Sequence, residues 1–395
     1  MCSFVLKLAS SSFPVLFEPV QDLPSQQASS QPSYYIGLMS GTSLDAIDVA
    51  LCQRNEFGFV QIAGLAIDLA PQLRQQLLTI CNDKQVTLQT LGEVDHQFAL
   101  ACAQAVNTLL QNENINATQV TAIGSHGQTI YHSPDTQYAF TQQIGDGNLI
   151  AAKTQIACVA DFRRMDMAYG GQGAPLVPAF HQALFAQQNT QRVILNIGGI
   201  ANISILNGTE HAFGYDTGPG NMLMDAWINL HHQQPFDKDA YFAATGKVDH
   251  TLLATLLADP YFALKAPKST GREKFNLTWL QQKITDNKLV AADIQRTLLE
   301  FTAITICEQI KQQSNACDVY VCGGGALNPL LMQRLNALMP DHTVQTTEAL
   351  AINPMHVEAV AFAWLAEQRI LEKTVPLKAV TGARRDAILG CVYLP

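Results

Sequence analysis

Apolar and polar positions along the chain fall into short alternating runs broken by glycine turns, with stretches of helical period between them. Ile36 and Leu38, then Ile47, Val49 and Leu51, bracket Ser40-Gly41-Thr42-Ser43, which reads as strand, turn, strand. The apolar runs 193–195 and 203–206 bracket a second glycine turn, Gly198-Gly199. Further strands are expected at 59–69, 120–124, 156–160 and 319–322. Helices are expected from Pro71, from Thr90 with Glu93 at capping-box spacing, from Asn221, and along Ile294, Leu298, Phe301 and Ile304. Asn328-Pro329 and Asn353-Pro354 are further helix starts, each an N-cap residue followed by a proline. A strand–turn–strand unit that occurs twice, each time followed by more α/β material and with no repeat of 20 to 50 residues, predicts a duplicated domain rather than a solenoid.

Composition narrows the partners. The chain has 395 residues, 48% of them hydrophobic, enough for two domains with sizeable cores. A formal net charge of -9 disfavours a general nucleic-acid surface or an anionic membrane and favours a small-molecule partner. Nine cysteines without a CxxC pair read as reduced thiols rather than disulfides or zinc ligands. No apolar run approaches the roughly 18 residues of a membrane span. Residues 1–31 are out of character; broken by Lys7, Pro14, Glu18 and Pro19, they fit a disordered or extra N-terminal tail better than a secretory signal.

The glycine turns supply the candidate chemistry. Backbone without side chains can approach a polyanion, and the hydroxyls of Ser40, Thr42 and Ser43 add donors for phosphate oxygens. A further turn, 216–221, contains the carboxylate of Asp216, placed to act on whatever receives a phosphoryl group. Gly323-Gly324-Gly325, between a strand and a helix, lets a base or ribose lie against backbone, although neither GxGxxG nor the Walker spacing is present. His126, in Ser125-His126-Gly127-Gln128-Thr129, fits a ligand contact or an ordinary turn histidine. Arg163 and Arg164, at the end of an expected strand, suit a carboxylate or phosphate as well as a solvated salt bridge. The 268–274 segment reads as a polar surface turn or a donor-rich loop, and Glu358 lies off the apolar stripe of its helix. Two α/β lobes that each send a hairpin turn to a shared cleft describe an actin-like, sugar-kinase type of ATPase.

The motifs GLMSGTSLDAIDVAL, IGSHGQTIYH, ADFRRMD, GGQGAPLVPAFH, LNIGGIANIS, GYDTGPGNMLMDAW, PKSTGREKFN, CGGGALN and PMHVEAVAFAWLA together resemble the anhydro-N-acetylmuramic acid kinase family, from about Tyr34 to the C-terminus. The resemblance implies an α/β fold of two actin-like (ribonuclease H-like) lobes around an ATP and sugar cleft. Lobe I is expected at 32–160 plus about 350–395, and lobe II at 161–349. It implies a cytoplasmic homodimer that uses ATP and Mg²⁺ to open 1,6-anhydro-N-acetylmuramic acid with water while phosphorylating O6, a step of peptidoglycan recycling. Residue by residue, the turn Ser40, Gly41, Thr42, Ser43, Leu44, Asp45, Ala46 and Ile47 matches the ATP-phosphate loop, and Gly198 and Gly199 match the loop opposite. Gly323, Gly324 and Gly325 match the adenosine loop, Asp216 the catalytic base, and Glu358 a position expected to contact the sugar. His126 is grouped with the substrate residues, and charge complementarity assigns Arg163 and Arg164 to the sugar's lactyl carboxylate. The superfamily's usual strand-end aspartates are absent, with Gly37-Leu38-Met39 before the first turn and Asn196 before the second. Asp45, through water, is the candidate for Mg²⁺.

Two other readings are distinguishable. A kinase of the same fold would phosphorylate a free amino-sugar hydroxyl, with Asp216 deprotonating it directly. A non-enzymatic reading is an ATP-gated chaperone or filament protein of the same fold; a chaperone of that type would need an appended peptide-binding domain, whereas about one helix and a short strand-like tail are expected after Ala363. A serine hydrolase is excluded at Ser125, because Ile123 stands where GxSxG requires glycine.

Overall fold

The computed structural model describes residues 33–395 apart from 42–43, 57, 84, 209–211 and 285–287. The expected tail at 1–31, and Thr42 and Ser43 of the first turn, therefore lie outside the described residues. Thirteen strands are present among them: β1 (Ser33–Met39), β2 (Ala46–Asn55), β3 (Gly58–Asp68), β4 (Val120–Ser125), β5 (Gln128–Ser133), β6 (Phe140–Ile144), β7 (Cys158–Ala160), β8 (Gln191–Ile197), β9 (Ile200–Asn207), β10 (Phe213–Pro219), β11 (Asp318–Cys322), β12 (Thr343–Thr346) and β13 (Cys391–Tyr393).

They form two large sheets of the same plan. The first runs β3-β2-β1-β4-β7, extended at its edge by β13; the second runs β10-β9-β8-β11-β12. In each, three antiparallel strands are followed by two parallel ones. This shared order is the ribonuclease H-like duplication expected from the two glycine hairpins. The parallel strands β1, β4, β8 and β11 all end in candidate loops, as open α/β sheets present ligand groups at carboxyl ends.

Strand alternation sorts the side chains between layers. Ile47, Val49 and Leu51 face a core shared with helices Pro71–Asp83 and Leu88–Glu113, whereas Ala50 and Cys52 face the opposite way. Val193, Leu195 and Ile197 face helix Ala291–Gln313, while Ile194 faces inward. The inward faces of both sheets enclose a middle layer made of helices Val177–Phe185 and Val357–Ile370. The second helix lies with backbone directly against sheet one. A Cβ at Gly37 would collide with the Ala359 carbonyl, and one at Gly124 with the Phe362 carbonyl. That close approach, open only to glycine, fixes the first turn of the helix, and so Glu358, at the end of the sheet.

Three local expectations shift. The second helix starts at Leu88 rather than Thr90, capped by Thr87, whose side chain accepts from the Thr90 amide. Asn353-Pro354 opens a turn, with the Met355 amide donating to Asn353 Oδ1, and the helix begins only at Val357. Asp216 lies in edge strand β10 rather than in a turn; the ladder slips between Asp216 and Gly218, where Gly218 takes φ 149°, and the turn follows at Gly220-Asn221.

Candidate functional site

The first turn leaves β1 at Ser40, which is buried and whose Oγ has no hydrogen-bond partner. Leu44 sits in the left-handed region at φ 56° with its side chain in the first core, and Ile47 is buried there too. Both therefore offer a ligand only backbone. Gly41 has open space where a Cβ would stand, and Ala46 begins β2 half-buried. Asp45 is exposed and paired with Arg74 at 2.7 Å, while Arg74 Nε donates to the Leu44 carbonyl at 3.0 Å.

The second turn and the triple glycine form one surface. The Gly220 and Asn221 amides donate to the Gly199 and Gly198 carbonyls, each at 2.8 Å, seating the turn on the start of helix Met222–His232. The Asn221 side chain reaches the Ile197 carbonyl at 3.1 Å. Gly323, at φ 78°, lies so close to Asn196 and Ile197 that no Cβ fits, and Gly325 is pressed on Ile197. Gly324 is exposed, its nearest neighbour the Asn221 amide nitrogen at 3.5 Å from a Cβ position. Asp225, one turn into the helix, has its carboxyl pushed up to about 7 by burial, with Arg272 opposing and Asp237 and Asp45 adding.

Asp216 is held from three sides. Its amide donates to the Lys268 carbonyl at 3.0 Å and its carbonyl accepts from Tyr261 Oη at 2.7 Å. The Ser269 hydroxyl and the Thr270 amide both donate to Oδ2, each at 3.0 Å, which leaves Oδ1 toward the cleft. Burial raises the carboxyl above the usual aspartate range, against the lowering of those two donors, and Glu273 raises it further. A carboxylate so placed is oriented and more basic than a solvated one.

Asp216 and Glu358 line the same cleft, of about 580 Å³, together with Asn196, Asn202, His132 and Cys322. Burial raises the Glu358 carboxyl, opposed by Arg163. Asp48 is pushed up to about 6 by burial and then by Glu358. Arg163 is brought down to about 10 by burial, against the pull of Glu358. Its guanidinium donates to His126 Nε2 at 2.8 Å and to the Gly173 carbonyl at 2.8 Å. His126 stays well below its ordinary value through burial and the Arg163 charge, so the ring is neutral and accepts at Nε2. The two arginines diverge: Arg164 is exposed, pairs with Asp161 at 3.0 Å, and with His126 lines a separate cavity of about 410 Å³.

Sequence reasoning gave no role to four contributors. Asp48 was legible from alternation, because it shares the face of Ala50 and Cys52 rather than that of Val49. Ser269 and Thr270 fall in the donor-rich 268–274 segment, but neither their bonds to Asp216 nor that of Tyr261 had a sequence signal, since they span more than 40 residues of chain. Among the described residues no group of three or more acidic, histidine or cysteine side chains is arranged to hold a metal, and no helix is long and apolar enough to cross a membrane.

Residues 33–395 match the family model for anhydro-N-acetylmuramic acid kinase. The anhydro-N-acetylmuramic acid kinase of Pasteurella multocida is 53% identical over 366 residues, covering 91% of this chain and 96% of that protein. The enzyme of the same name from Photobacterium profundum is 51% identical over 367 residues, covering 91% and 98%. Among solved structures, the ADPNP-bound activator of a 2-hydroxyisocaproyl-CoA dehydratase from Clostridium difficile aligns with a TM-score of 0.46 at 11% identity, covering 86% of this chain and 96% of that one. The chain belongs to the anhydro-N-acetylmuramic acid kinase family.

Proposed function

We propose that the protein uses ATP to convert 1,6-anhydro-N-acetylmuramic acid to N-acetylmuramic acid 6-phosphate, as a cytoplasmic homodimer acting in peptidoglycan recycling. The observation that supports this best is the cleft lined both by Asp216 of one sheet and by Glu358, on the helix against the other. O6 of the anhydro sugar is bonded to C1 and has no proton to lose. Water therefore adds to C1, the C1–O6 bond breaks, and O6 takes the terminal phosphoryl group as ADP leaves. Asp216 Oδ1 takes the proton released by the water, with Oδ2 fixed by Ser269 and Thr270. Glu358 holds the sugar at the lobe I wall, and Arg163, tied to His126, sits behind it as the countercharge. Of the charged groups expected to meet the sugar, Arg163 alone remains the candidate for the lactyl carboxylate, because Arg164 and His126 line the separate cavity rather than the cleft of Asp216 and Glu358.

The glycine surfaces suit ATP. Ser40 Oγ, buried without a partner, and the open backbone at Gly41 and Gly198 fit phosphate oxygens, and Gly323, Gly324 and Gly325 fit the adenosine. Leu44, Asp45, Ala46 and Ile47 belong to the same proposed phosphate segment of the sequence, as do Thr42 and Ser43. Asp45, on the first phosphate turn, and Asp225, on the helix that follows the second, are the carboxylates that would hold Mg²⁺ through water. When bound, Mg²⁺ neutralises charge on the phosphates. The test is ADP release with the anhydro sugar against free N-acetylmuramic acid. Turnover of the anhydro sugar is expected; turnover of the free sugar alone would make the protein an ordinary hydroxyl kinase.

A further inference from the structure

Residues 268–275 form a strap pinned at both ends on Tyr261. Lys268 Nζ stands 4.7 Å and Lys274 Nζ 5.1 Å from the centroid of its ring, Lys274 also pairs with Asp259 at 2.9 Å, and Phe275 is fully buried. The Tyr261 hydroxyl in turn holds the Asp216 carbonyl. Between its anchors the strap reaches two ways. Ser269 and Thr270 bind Asp216 Oδ2, while Arg272 leans over the second glycine turn, its Nη2 lying 3.9 Å from where a Cβ of Gly199 would be. Arg272 is exposed and forms no ion pair among the described residues. A guanidinium fork over a turn stripped of side chains is the geometry that takes two oxygens of one phosphate.

From this arrangement we infer that Arg272 is a phosphate-contacting residue that takes the terminal phosphoryl group of the bound nucleoside triphosphate, and that the strap links this contact to the position of the Asp216 carboxylate. The inference rests on the kinase reading above. One residue, Gly271, separates Thr270 from Arg272, so their Cα atoms lie at most about 7 Å apart. The strap thus carries Arg272 beside the residues that hold Asp216, and the phosphate nearest the acceptor, the group being transferred, is the one assigned to it. Loss of the terminal phosphoryl group to the sugar removes the partner of Arg272, so the fork distinguishes triphosphate from diphosphate.

Calorimetric titration of the full chain with Mg²⁺ and either a non-hydrolysable ATP analogue or ADP tests this. Arg272→Ala should weaken the ATP analogue about tenfold to a hundredfold, the range of a charge-assisted hydrogen bond, and leave ADP unchanged. Arg272→Lys, which keeps the charge without the fork, should recover part of the loss. Because the side chain is exposed, thermal unfolding of both variants should match the wild type. Equal losses for the two nucleotides, or none, would overturn the assignment of Arg272 while leaving the kinase reading intact. Wild-type protein that binds neither nucleotide would overturn the kinase reading and this inference with it.

Discussion

Replacing Asp216 with asparagine separates its chemistry from its place in the fold. Oδ2 accepts from Ser269 Oγ and from the Thr270 amide, each at 3.0 Å, and the amide oxygen of asparagine can accept both. The Tyr261 bond at 2.7 Å goes to the backbone carbonyl and is untouched. What changes is the cleft-facing atom, from a basic oxygen to an NH₂ group that cannot take a proton. General-base assistance is typically worth about a hundred- to ten-thousandfold, or roughly 3–5 kcal/mol of barrier. Turnover in Asp216→Asn should fall by that factor with the KM for ATP nearly unchanged. Asp216→Ala should do more, because it also strands the half-buried Thr270 amide at about 1–3 kcal/mol of stability. The assay is coupled ADP release, with urea unfolding of both variants as the control. Since burial raises the Asp216 carboxyl, and the working form is the carboxylate, wild-type kcat/KM should fall with decreasing pH at a point above the ordinary aspartate value. Wild-type turnover in Asp216→Asn would remove this residue from proton transfer.

Other consequences follow from the wall opposite. Glu358→Gln should raise the KM for the sugar and leave that for ATP unchanged, and an effect on ATP alone would move Glu358 away from the acceptor. Gly37→Ala would drive a methyl group into the Ala359 carbonyl and to 2.6 Å from the Ala363 nitrogen, so denaturant unfolding should show a loss of about 3 kcal/mol or more; unchanged stability would contradict the direct backbone contact. Asp48 holds its proton more tightly in the folded state, at about 6 against an ordinary 3.8. Its contribution to stability is full below the lower value and lost as pH rises through the upper. Asp48→Asn should therefore gain up to ~2 kcal/mol over the wild type near pH 8 and nothing near pH 4, in unfolding curves at both; equal differences at the two would contradict the shift.

Most of the architecture was legible because it is written in local signals. Glycines between β-branched runs mark both hairpins, and Asn328-Pro329 starts its helix as expected, with Asn328 accepting from the Leu331 amide. The same device failed at Asn353 because the His356 amide turns back to the Asn353 carbonyl, a local bond that competes with helix initiation. Asp216 read as a turn residue since Asp-Thr-Gly-Pro-Gly has turn composition; pairing with β9 overrode it, with the misfit absorbed at Thr217. The divergence of Arg163 from Arg164 had no sequence signal at all. It depends on His126, 37 residues away, presenting Nε2 to the first guanidinium while Asp161 takes the second.

The most direct measurement of the account is a single turnover of ATP and the anhydro sugar in ¹⁸O-labelled water, quenched before the anomeric centre exchanges and read by mass spectrometry. The account predicts label in the C1 hydroxyl of N-acetylmuramic acid 6-phosphate and none in the phosphoryl group. Label in inorganic phosphate, with the sugar unlabelled and its ring still closed, would contradict it.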